Sequence, residues 1–111
     1  MGGLKSQPAR YRENPLAARF WQKVQDLADQ GGVSIEPHCQ DVLESFIENG
    51  ISTMAAEGVD SDEQRIQEAE DNLTKFIQRM NSEAKRKGVA ELHEFTFDAA
   101  RTSLCPLWPF C

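Results

Sequence analysis

Cysteine is scarce in this chain, tyrosine occurs once, and basic residues are outnumbered by acids. Three cysteines, an odd number, cannot all pair within the chain, and Cys105 and Cys111 both fall in its last seven residues. A disulfide framework is therefore excluded, and a reducing cytoplasm is the expected compartment. With 12 Lys and Arg against 18 Asp and Glu, the net charge is −6 and the pI is near 4.8. Nucleic acid is not the expected partner, because phosphate binding wants a basic surface. No run approaches ~18 apolar residues and no signal-peptide core opens the chain, so neither a membrane span nor secretion is expected.

Chemical motifs are missing too. There is no G-x-S-x-G, and the glycine pairs Gly2-Gly3 and Gly31-Gly32 read as a terminus and a helix stop rather than a phosphate loop. A di-iron bundle needs Glu three residues before His, but Ile35 and Ala90 hold those places before His38 and His93. Adjacent His38-Cys39, and Cys105 with Cys111, lack the close spacing of zinc ligands. Cys39 is expected as a small core residue at a helix start, with His38 solvated. The abundant acids sit mostly on polar faces. No enzyme activity, cofactor or metal site is expected.

What is present is helical. At 111 residues the chain allows one domain with a modest core. The clearest helix lies within residues 60–88, where Ile66, Ala69, Leu73, Phe76, Ile77, Met80 and Ala84 recur every three or four positions on one face. Acids crowd its start and Lys85, Arg86 and Lys87 its end, as the helix dipole favours. Asp60 with Glu63 has capping-box spacing, and Asp71 with Lys75, Arg79 with Glu83 and Glu83 with Lys87 are four-residue pairs assigned to its wet side.

Asn14-Pro15 starts an earlier helix whose stripe is Leu16, Phe20, Val24, Leu27 and Ala28, with Trp21 at its edge. A further helix starts near Pro37, and its period runs straight through Gly50. Gly58-Val59 and Gly88-Val89 both read as Schellman stops. Residues 33–36 form a short extended linker, and residues 90–95 are either a turn of helix or a short extended piece. Thr96 is the expected N-cap of a short fourth helix, which Cys105-Pro106 ends. No strand is expected, since strict alternation over four or more residues is absent apart from the ambiguous Leu92 to Phe97, and no internal repeat is visible.

The sum is an all-α fold: a small bundle of three main helices, at 15–30, 37–57 and 61–87, plus a short fourth at 97–104. The expected core is Leu16, Phe20, Val24, Leu27, Phe46, Ile47, Ile51, Leu73, Phe76, Ile77 and Met80. Residues 1–13 read as a mobile, mildly basic arm, 14–104 as one domain, and 105–111 as an apolar tail. Met1-Gly2 to Ser6 fits a loose myristoylation pattern, but the pattern is short and matches often by accident, so an unmodified Gly2 is expected.

Two features bear on function. Between residues 36 and 71 stand eleven acids and a single base, Arg65, which reads either as solvated helix faces or as a surface that steers a basic partner. The tail Leu104-Cys105-Pro106-Leu107-Trp108-Pro109-Phe110-Cys111 ends the chain in large apolar side chains, where termini are usually polar. It caps the bundle, docks in a partner's groove, or is a processed peptide behind a helical leader. The expected function is a non-enzymatic protein-interaction module whose partner-binding residues are Leu107, Trp108 and Phe110. A modified-peptide precursor is the alternative, and a small metal or redox protein the third.

Overall fold

In the computed structural model, which describes residues 14–104 and their side chains through 102, four helices enclose one core. Helix α1 spans Pro15–Gln30, α2 Pro37–Ala56, α3 Glu63–Lys87 and α4 Glu94–Leu104. Two short strands, β1 (Ser34–Ile35) and β2 (Glu91–Leu92), pair in parallel with Ser34 opposite Glu91 and Ile35 opposite Leu92. The fold is all-α with this one small strand pair. The expected arm at 1–13 and tail at 105–111 lie outside the described residues.

Local chemistry accounts for the helix limits. The Asn14 side chain accepts from the Ala17 amide at 3.1 Å and Pro15 opens α1. Gly50 is buried inside α2, so the helix runs through it as the period requires. Helix α3 starts two residues later than expected: Asp62, not Asp60, caps it, accepting from the amides of Gln64 and Arg65. Helix α4 starts earlier than expected, and Thr96 is not its N-cap. The Thr96 hydroxyl sits in the first turn and accepts from the His93 amide at 3.0 Å, the backward reach of a capping box.

A Gly-Val stop occurs three times. The amides of Val33, Val59 and Val89 reach back five residues to Ala28, Met54 and Ala84, with Gly32, Gly58 and Gly88 at positive φ before them. Each half of the chain thus reads helix, Gly-Val stop, short strand, helix. The two strands then meet side by side. The extended reading of the linker at 33–36 holds, and residues 91–92 settle as extended.

The core joins all four helices. Phe46 of α2 stacks on Phe76 of α3 at 4.6 Å, and Phe97 of α4 meets both edge-on at 5.3 Å. Every expected core residue is buried except Leu16 and Ile51, which are partly so. Trp21 is fully buried rather than at an edge, and Leu43, Leu92 and Thr96 join it. Backbones pack most closely between α3 and its neighbours α1 and α4, while α2 lies against α1 and α4. None of the described helices is long and apolar enough to cross a membrane.

Candidate functional site

Of the residues expected to bind a partner, Leu107, Trp108 and Phe110 all lie outside the described residues. The remaining candidates are placed. Cys39 is fully buried in the first turn of α2 and His38 is exposed beside it. Burial pushes the Cys39 thiol up to about 12, with Glu36 and Glu94 adding to the rise. A thiol held that high stays protonated at neutral pH, as a buried structural cysteine does. Among the described residues, no three His, Cys, Asp or Glu side chains converge to hold a metal ion.

His93 lies at the end of β2, its Nε2 3.4 Å from Glu91 and its Nδ1 3.9 Å from Glu36. Its ring stacks at 5.1 Å on Phe95, which is 42% exposed. An aromatic pair ringed by acids therefore stands at the surface. Sequence reasoning missed it because Phe95 falls in the stretch whose conformation was open between helix and strand.

The charge layout has a spatial form. Arg19 of α1 donates through Nε to Glu70 at 3.2 Å and lies 3.1 Å from Glu63, clamping α1 to α3. Arg65 pairs with Glu68. Glu83 lies between Arg79 at 3.2 Å and Arg86 at 2.7 Å, and its side chain is only 8% exposed. The expectation that Glu83 faces water is thus corrected; its partner toward the C-terminus is Arg86, three residues on, rather than Lys87. The hydrogen bond from Arg86 holds the Glu83 carboxyl below the usual glutamate range despite its burial. Helix α2 carries no lysine or arginine at all, and its Asp41 is exposed.

One groove of about 310 Å³ opens between the last turn of α1, β1 and the first turn of α2. Ala28, Val33 and Ile35 form its apolar part, and Gln25, Asp29 and Gln40 its polar part. These residues belong to three elements folded together by the Gly32-Val33 turn, and no spacing in the sequence announces them.

No family model matches the chain, and neither a curated protein nor a solved structure matches it. Function therefore rests on the residues themselves.

Proposed function

We propose that this chain is a small non-enzymatic protein-interaction module, an adaptor, regulator or accessory subunit of the cytoplasm. It binds a protein partner through Leu107, Trp108 and Phe110, with acidic helix faces as a second surface. The observation carrying this reading is the partition of charge. The guanidinium groups of Arg19, Arg65, Arg79 and Arg86 are each held by a carboxylate within the fold, while Asp41 stands exposed on α2, a helix without lysine or arginine. Opposite charge on a partner speeds encounter, and buried aromatic side chains hold the complex once formed. A protein with a basic face is the fitting partner and nucleic acid is not.

Affinity capture from the native host, with the full chain and with a chain lacking residues 106–111, tests the proposal. A partner retained by the full chain and lost on truncation is the expected result. Equal capture by both would overturn the role of the tail.

A further inference from the structure

Among the described residues, β1 pairs along one edge only, and its other edge lies beside the groove. In the parallel pair, the Ser34 and Glu36 amides donate to the Ala90 and Leu92 carbonyls at 3.1 Å. Successive residues of a strand turn their backbone groups to opposite sides, so the N–H and C=O of Ile35 project from the outer edge. Val33, on that same edge, already donates to Ala28 at the end of α1. Glu36 is extended too, with φ −68° and ψ 142°, but its amide donates to Leu92 and its carbonyl accepts from Gln40, so the outward groups of this edge are those of Ile35. Ile35 lines the groove together with Asp29.

We propose that this edge receives an extended, basic segment of a protein partner as an added strand. A single residue of an antiparallel segment satisfies both outward groups of Ile35 at once. The apolar side chains of Ala28, Val33 and Ile35 take its flanking apolar groups, while the Gln25 amide remains to bond its polar atoms. Asp29 is exposed and, among the described residues, no lysine or arginine lines the groove, so a lysine or arginine on the segment completes the charge. This surface is separate from the tail-mediated docking proposed above.

Random heptapeptides displayed on phage and selected on the immobilised full chain test the idea, with the enriched peptide then titrated into ¹⁵N-labelled protein. Enrichment of lysine or arginine is expected, with a shift of the Ile35 amide and slower exchange of its proton. N-methylation of one peptide residue should abolish binding, and Asp29→Asn should weaken it about tenfold, the loss of one charge-assisted bond. The Ile35 response should persist in the chain lacking residues 106–111, which separates this site from the tail. No enrichment, an unmoved Ile35 amide, or tolerance of every single N-methylation would overturn the proposal.

Discussion

Asn81 occupies the space that a side chain at Gly31 would need. The Asn81 amide nitrogen donates to the Leu27 carbonyl at 3.1 Å, tying α3 to the last turn of α1. A Cβ at Gly31 would come within 2.5 Å of that nitrogen. Gly31→Ala must therefore displace the amide and should cost about 1 kcal/mol, the worth of one hydrogen bond. In an Asn81→Ala background the same substitution should cost far less, and a double-mutant cycle from urea unfolding reads the difference. Cys39 offers a second test at this scale. In a Cys105→Ser/Cys111→Ser chain it is the remaining thiol, and its rate of alkylation at pH 8 should lie far below that of the urea-unfolded chain. Of these features, Cys39 as a buried helix-start residue was legible in the sequence. The role of Gly31 was not, because the group it accommodates lies fifty residues away on another helix.

Helix α3 holds the elements together, and its charges act at that scale. The Glu83 carboxyl is held below its ordinary range, so it stabilises the fold above the unfolded glutamate value and loses that contribution as pH falls through its folded value. Glu83→Gln should lower the melting temperature at pH 7, and the gap to the parent chain should close toward pH 3. The stops act locally. Gly88 sits at φ +75° with open space around its missing Cβ, so Gly88→Ala should cost about 1–2 kcal/mol from backbone conformation alone, measurable by urea unfolding. Apolar period and glycine placement made α1, α2 and α3 legible to within about two residues. The strands were not, since two residues show no alternation and each finds its partner only through the folded chain. Thr96 misled about the start of α4 because a hydroxyl in the first helical turn and one at the N-cap leave the same trace in sequence.

For the whole molecule, net charge and its distribution matter more than any one pair. Charge of −6, with α2 free of basic residues, predicts that the association rate with a basic partner falls as salt rises from 50 to 300 mM, roughly in step with the shrinking Debye length. A rate indifferent to salt would remove steering from the account. Fold class followed from composition and period; the groove did not, because the Gly32-Val33 turn assembles it from α1, β1 and α2, and the Phe95–His93 pair did not, because its stretch read equally as helix or extended chain. Partner binding through the aromatic tail is the central claim, and ¹⁹F spectra of chain carrying fluorotryptophan test it most directly. The two resonances, from Trp21 and Trp108, are assigned with Trp108→Phe, and the captured partner is added. The account predicts that the Trp108 signal moves while that of buried Trp21 holds still; a Trp108 signal unchanged at saturating partner would contradict it.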